Sequence, residues 1–300
     1  MTFQENEIKL RGQIHYAENL DFLKELPPNS VDLIYIDPPF NTGKKQARTQ
    51  IATTQSEAGD RVGFQGKSYS TVNIGTMAFT DKYDDYLGFL RPRIDEAYRV
   101  LAPHGSFFFH IDYREVHYVK VMLDGIFGRD CFMNDIIWAY DFGGKPKTKW
   151  PPKHNNILFY VKDPANYVYN VDDIEREPYM APGLVTPEKA AKGKMPTDVW
   201  WHTIVGTNSK ERTSYPTQKP LGVLKRPITA SSNPGDLVLD FFAGSGTIGE
   251  AAFLLGRRFV LVDNNLQALE VMAKRFNKYP GIEFIGYEPD TTFEDTKIMF

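Results

Sequence analysis

The chain has one cysteine, Cys131, in 300 residues. That excludes an internal disulfide and a cysteine-rich metal centre, and no metal site is expected. No run reaches the roughly 18 apolar residues of a membrane span. The N-terminus, Met1-Thr2-Phe3-Gln4-Glu5-Asn6-Glu7, lacks the basic start and apolar core of a signal peptide. The expectation is a cytoplasmic protein with no membrane partner. Positive charge is not in excess either: the net charge is -3, so any nucleic-acid surface has to be local. With 42% hydrophobic residues, the length allows one large α/β domain with an inserted module.

The run Val31-Asp32-Leu33-Ile34-Tyr35-Ile36 is β-branched and aromatic and carries one charge. It has the pattern of a strand buried on both faces of a parallel sheet. Asp37-Pro38-Pro39-Phe40 comes next. Two prolines stop the strand and stiffen the chain, leaving a carboxylate at the carboxyl end of a strand, where open α/β sheets bind ligands. An acid, rigid carbonyls and a ring can grip a flat, amine-bearing base: the acid and a carbonyl accept the amine hydrogens, and the ring stacks. The same tetrapeptide also reads as a plain strand-ending turn.

Residues 13–16 form a short strand, 17–19 a turn and 20–26 a short helix. Together with the strand at 31–36 they make a parallel strand–helix–strand crossover. Glu18 is either a ligand contact or an acid favouring the helix dipole. Residues 43–80 are rich in Gly, Ser, Thr and Gln with little apolar periodicity, and are expected to be a flexible lid loop next to Asp37. A helix over 81–101 is closed by Pro103-His104-Gly105. Strands are expected at 106–111, 134–140 and 156–161, the last two paired as a hairpin, with an amphipathic helix over 122–127. The hairpin connection carries Lys145, Lys147, Lys149 and Lys153, and no acid occurs from Phe142 to Lys162. With Trp150 and His154 interleaved, the run suits a phosphate backbone; lysines on a solvated hairpin tip are the plainer reading. From 163 to 212 the alternation stops, and prolines, tyrosines, lysines and Trp200-Trp201 recur, as in an inserted module or a long surface excursion.

A helix over 221–231, a strand at 237–242, a glycine turn, a helix over 248–255, a strand at 259–263 and a helix over 267–277 complete the pattern. Seven strands alternating with helices make a doubly wound, mostly parallel α/β sheet with helices on both faces. Gly244-Ser245-Gly246-Thr247-Ile248-Gly249, with Asp263 ending the next strand, fits the dinucleotide fingerprint in which the acid holds a ribose. A nicotinamide-dependent oxidoreductase therefore competes. Against it, about 50 residues come after the turn, too few for a second Rossmann half, and the Asp37 tetrapeptide has no role in hydride transfer. The same turn suits S-adenosylmethionine: glycines admit its methionine portion, a helix N-terminus faces its carboxylate, and Asp263 takes the ribose.

These motifs together resemble the β-class amino-methyltransferases of DNA, a circularly permuted group in which the catalytic motif precedes the cofactor motif. Asp37-Pro38-Pro39-Phe40 matches the catalytic motif, and Asp240-Phe241-Phe242-Ala243-Gly244-Ser245-Gly246-Thr247 the cofactor motif. Pro216-Thr217-Gln218-Lys219-Pro220 resembles the segment leading into the cofactor-side helix. Ala17-Glu18-Asn19 takes the place of a short turn that contacts the cofactor's adenine. Glu18 stands where Asp is usual, and Tyr215 where His often precedes Pro-Thr-Gln-Lys-Pro. The resemblance implies a Rossmann-like methyltransferase domain over 1–162 and 213–300, with 163–212 in the place of the target recognition region. It implies cofactor contacts at Glu18, Asn19, Asp37, Thr217, Lys219, Asp240, Phe242, Ala243, Gly244, Ser245, Gly246, Thr247 and Asp263, and catalysis by Asp37, Pro38, Pro39 and Phe40.

The implied reaction is direct methyl transfer to an exocyclic amine of a base flipped out of duplex DNA. Methylation at cytosine carbon needs a cysteine nucleophile, and Cys131 lies far from any catalytic motif. Asp as the first residue of the tetrapeptide resembles the N6-adenine enzymes; N4-cytosine methylation is the alternative. Double-stranded DNA is the implied partner, and a separate restriction endonuclease and a homodimer are compatible with the resemblance.

Overall fold

The computed structural model describes residues 10–42, 44–55, 61–62, 68–206, 209–213 and 215–289, and of 44–55, 61–62 and 69–81 the backbone path alone. In chain order the elements are β1 (Gly12–Tyr16), α1 (Asn19–Glu25), β2 (Val31–Ile36), β3 (Lys44–Gln55), β4 (Arg61–Val62), β5 (Ser68–Asp81), α2 (Tyr86–Val100), β6 (Leu101–Ile111) and α3 (Val116–Phe127). Next come β7 (Phe132–Ala139), β8 (His154–Val161), α4 (Pro187–Lys192), β9 (Val199–Trp201), α5 (Leu221–Ser231), β10 (Leu237–Asp240), α6 (Thr247–Leu254), β11 (Arg258–Asp263), α7 (Leu266–Phe276) and β12 (Ile282–Ile285).

A nine-stranded sheet in the order β12-β1-β11-β10-β2-β6-β8-β7-β9 forms the centre. Among the described residues its pairings are parallel except the two made by β8. Seven of these strands are those expected from sequence. The two added ones, β9 and β12, are short edge strands of three and four residues, too brief to show a period. From β2 the sheet grows outward through β6, and from β10 the other way through β11. The reversal falls between β2 and β10, the place where such sheets bind ligands.

Strand side chains alternate between two packed faces. Leu33, Tyr35 and Phe108 meet Val223 and Ile228 of α5, Ile248 of α6 and Met272 of α7. Ile34, Ile36, Phe107 and Phe109 meet Leu23 of α1, Leu90 and Ile94 of α2 and Leu123 of α3. With both faces covered, the central strands are continuous apolar runs. Each fully buried side chain of this kind stabilises by about 1.5–3 kcal/mol.

Two expectations are corrected. Residues 43–80 are not a loop without structure of its own: β3 and β5 pair antiparallel from Lys44↔Asp81 to Gln55↔Tyr69, and β4 adds to β5 in a separate three-stranded sheet. These strands are Thr- and Gln-rich, so they carry no apolar alternation; the backbone ladder pairs them. Residues 43, 56–60 and 63–67 of the expected lid lie outside the described residues. Pro103-His104-Gly105 does not close a helix. It lies within β6, where pairing jumps from Val31↔Leu101 to Leu33↔Ser106, so the turn-forming residues make an irregularity in the strand. His104 Nε2 sits 2.9 Å from Asp32 Oδ1 there.

The segment 163–212 joins the main sheet through β9, which pairs parallel with β7, and Trp200 and Ile174 are buried. No described helix is long and apolar enough to cross a membrane.

Candidate active site

Parallel pairing of β2 with β10, in the register Leu33↔Val238 and Ile34↔Leu239, sets Asp37 beside Asp240 and the glycine turn. A cleft of about 860 Å³ opens along this carboxyl edge. Of the residues expected from sequence, Glu18, Asn19, Asp37, Pro38, Pro39, Phe40, Thr217, Lys219, Asp240, Phe242, Ala243, Gly244, Ser245, Thr247 and Asp263 all line it. Gly246 does not line it, but stands at the N-cap of α6.

The tetrapeptide loop is held from several sides. Tyr86 Oη donates to the Pro39 carbonyl at 2.5 Å. Asn41, in the left-handed region at φ 52°, donates to Glu115 Oε1 at 2.8 Å and accepts from Tyr83 N at 2.9 Å. Asp37 pairs with Lys219 through one carboxylate oxygen, and its other oxygen lies 3.9 Å from His110 Nδ1. The Phe40 ring lies 5.7 Å from the His110 ring and 5.0 Å from the Lys219 ammonium.

His110 is fully buried under this loop. Tyr140 Oη donates to Asn155 Oδ1 at 3.0 Å, which leaves the Asn155 amide to donate to His110 Nε2 at 3.0 Å. That chain assigns the ring proton to Nδ1, facing Tyr35 Oη at 2.8 Å. Burial, and then the Lys219 charge, holds the imidazole well below its usual range, so it is neutral. Burial, with Asp37 and Asp240 adding to it, pushes the Tyr35 phenol well up.

At the glycine turn, Gly244 N donates to Asp263 Oδ2 at 2.8 Å and Asn265 N to Asp263 Oδ1 at 2.9 Å. Burial raises the Asp263 carboxyl, opposed by these backbone donors. Asp240 accepts from Phe242 N at 2.9 Å, and burial raises it well above the usual carboxylate range. Gly244 has φ 51°, and a Cβ there would stand 3.0 Å from the Tyr215 ring; Gly246 has φ 71°, and a Cβ there would stand 2.8 Å from Met272. Both are positions only glycine fills without strain.

Glu18 takes the helix-start role: its Oε2 accepts from Leu20 N at 2.7 Å and Asp21 N at 3.2 Å. Its other oxygen meets Arg93 Nη2 at 2.5 Å, and Arg93 Nε donates to Asn19 Oδ1 at 2.6 Å. Asn19 in turn donates to the Phe241 carbonyl at 2.9 Å. Glu18 lines the cleft as well as capping α1, so the two sequence readings are compatible.

The four lysines lie elsewhere on the same edge. Residues 141–150 are exposed, and none of Lys145, Lys147, Lys149 and Lys153 forms a salt bridge with a described residue. Lys153 Nζ donates to the Gly143 carbonyl at 2.6 Å. Cys131 is outside the cleft; its thiol points to the Lys162 carbonyl at 3.7 Å, and burial raises it.

Sequence reasoning missed Phe89, Arg93, Asp112, Arg114, Tyr140 and Asn155 in the lining. Asp112 carries the same signal as Asp37 and Asp263, an acid directly after a buried strand, and pairs with Arg114.

Residues 31–275 match the DNA methylase family of N6 and N4 methyltransferases. The chain is 32% identical over 266 residues to the Type II methyltransferase M.HpaI of Haemophilus parainfluenzae, covering 89% of this chain and 73% of that protein. It is 31% identical over 272 residues to the DNA adenine methyltransferase YhdJ of Escherichia coli K12, covering 88% and 82%. Its fold is like that of M1.HpyAVI, solved as a complex with SAM, with a TM-score of 0.56 at 22% identity over 89% of this chain and 99% of that one. With Asp37-Pro38-Pro39-Phe40 and the glycine turn lining one cleft, and the family match spanning both, this chain belongs to the N6/N4 DNA methylase family.

Proposed function

We propose that this protein methylates the N6 amine of adenine in double-stranded DNA, with S-adenosylmethionine as cofactor, by direct transfer to a base turned out of the helix. The observation that carries this is the placement of Asp37 next to the glycine turn in a single cleft. The volume, about 860 Å³, stands near the upper end for small-ligand sites, with room for a cofactor and a base side by side. The name of the E. coli relative, a DNA adenine methyltransferase, agrees.

The residues fit the cofactor. Gly244, Ser245 and Thr247 of the glycine turn line the cleft, and Gly244 has no Cβ to crowd Tyr215 there. Asp263 would hold the ribose, Glu18 and Asn19 the adenine end, and Thr217, Lys219 and the α6 N-terminus the carboxylate. When bound, S-adenosylmethionine supplies an electrophilic methyl group.

The chain's own residues act on the amine. Its lone pair is delocalised into the base ring, which makes it a poor nucleophile. Asp37 and the Pro38 carbonyl accept its two hydrogens, draw the nitrogen toward tetrahedral geometry and aim the lone pair, which is orientation combined with electrostatic stabilisation. The Phe40 ring stacks on the base. As the nitrogen gains its fourth bond a proton must leave, and the Asp37 carboxylate accepts it.

Residues 163–212 would read the target sequence, and Lys145, Lys147, Lys149 and Lys153 would hold the backbone. A separate restriction endonuclease, in keeping with the relatives' Type II names, and a homodimer are further partners under this proposal, and the cytoplasm is its location. The test is incubation with labelled cofactor and unmethylated DNA, followed by nucleoside analysis. N6-methyladenine is expected; N4-methylcytosine alone would shift the substrate, and binding of NAD in preference to S-adenosylhomocysteine would overturn the cofactor.

A further inference from the structure

Three aromatic side chains stand nearly bare beyond the β8 side of the cleft: Trp150 is 94% exposed, Trp201 72% and Phe142 67%. Trp150 and Phe142 belong to the β7–β8 connection. The structure pins that connection to the cleft at both roots, since Tyr140 N donates to the Lys153 carbonyl at 3.0 Å and Tyr140 and Asn155 line the cleft. Its middle leans on the loop after β6: Lys149 Nζ lies 3.5 Å from Tyr113 Oη and 5.5 Å from the ring centroid. Tyr113 stands between Asp112 and Arg114, both of which line the cleft. In sheet order the glycine turn on β10 comes first, then Asp37 on β2, then the β6 end with Asp112. Trp150 therefore stands by the Asp37 half of the cleft, away from the glycine turn. Pro151 and Pro152 come directly after it and restrict the backbone that carries it.

We propose that Trp150 is the wedge that enters the base stack when the target base leaves it. This rests on the reading of the cleft as a DNA amine methylase. The occupant of the surface is duplex DNA, because the aromatic sits among Lys145, Lys147 and Lys149 in a stretch without an acid. Lysines draw in the phosphates without regard to sequence. An indole stacks on any base, and apolar side chains inserted at a base step part it and kink the duplex. A base turned toward Asp37 leaves a gap, and an indole filling that gap keeps the base from returning. Trp150 is thus a positioning residue for the target and touches no reacting atom.

The experiment first maps the adenine that the unaltered protein methylates on plasmid DNA. Two short duplexes then carry that site, one fully paired and one mismatched opposite the target, and kcat/KM is measured for the unaltered chain, Trp150→Ala and Trp150→Phe. Trp150→Ala is expected to lose about tenfold on the paired duplex (~1.4 kcal/mol), and less than about threefold on the mismatched one, whose target leaves the stack more easily. Trp150→Phe is expected to keep most activity on both. The side chain is exposed, so an unchanged melting temperature is expected and confirms the fold. Equal loss on both duplexes would make Trp150 a backbone or packing contact and overturn the wedge, as would no loss on either. Failure of the unaltered chain to methylate any DNA overturns the underlying reading and the wedge with it, and that failure is seen before any substitution is made.

Discussion

Lys219 Nζ donates to a carboxylate oxygen of Asp37, joining two motifs 182 residues apart in the chain. Their side chains are only 11% and 18% exposed, so water screens neither charge fully. Removing one partner leaves the other poorly compensated. The Asp37–Phe40 tetrapeptide and the Pro216–Pro220 segment therefore form one electrostatic unit, and a ligand anion that recruits Lys219 must share it with Asp37.

A double-mutant cycle with Asp37→Asn and Lys219→Met, followed by urea unfolding, should show a coupling of about 1–3 kcal/mol. The double variant should be more stable than the sum of the single losses. Strict additivity would mean that the pair contributes nothing to the folded state.

Asp263 accepts hydrogen bonds from the Gly244 and Asn265 amides and faces the cleft. If it also holds a ribose, Asp263→Ala should weaken S-adenosylmethionine by about 1.5–3 kcal/mol, the scale of a charge-assisted hydrogen bond. Calorimetry reads this directly. An unchanged dissociation constant would remove Asp263 from the cofactor site.

Replacing Lys145, Lys147 and Lys149 with Gln should flatten the dependence of log affinity on log salt by about 0.9 per lysine that touches a phosphate. The loss should be alike for a methylatable and an unrelated duplex, since phosphate contacts position rather than specify. An unaltered slope would make the patch a solvated hairpin tip. Weakening of the methylatable duplex alone would mean that these lysines read bases.

His110 provides a pH test of the buried network. Its folded pKa is depressed by burial and then by Lys219, so the folded state binds fewer protons than the unfolded one. The stability it contributes is present above its unfolded pKa, near 6.5, and is lost as pH falls below that value, at up to about 1.4 kcal/mol per pH unit. Asp240 and Asp263, both raised, act in the opposite sense. Comparison of the chain with His110→Gln cancels their contribution. Unfolding free energy measured from pH 7.5 to 5.5 should fall more steeply for the unaltered chain; parallel curves would show that the His110 pKa is the same in the folded and unfolded chain.

Much of this site is legible because its acids sit at punctuation. Asp37 and Asp263 each come directly after or at the end of a buried apolar strand, and the glycine turn has a spacing with a mechanical reason. What the sequence hides depends on packing between elements. Arg93 and Phe89 reach the cleft only because α2 packs beside α1, where Arg93 holds Glu18 and Asn19. Tyr140 and Asn155 need the β7–β8 register, with Trp138 opposite Asn155 and Ala139 opposite His154. His110 looks like any core residue of β6 until its partners on β2 and β8 are known. The antiparallel arm of β3 and β5 is hidden for another reason: backbone pairing needs no apolar stripe, so its polar strands resemble a loop.

The central claim is that Asp37 acts on an amine held beside the cofactor. The most direct measurement compares methyl transfer to unmethylated DNA by the unaltered chain and by Asp37→Asn, with S-adenosylhomocysteine affinity measured in parallel. The unaltered chain should produce N6-methyladenine. Asp37→Asn should lose about 10²–10³-fold in turnover, as when one positioned electrostatic group is removed, while S-adenosylhomocysteine binds within a few-fold of its original affinity. Near-normal turnover by Asp37→Asn would contradict the account.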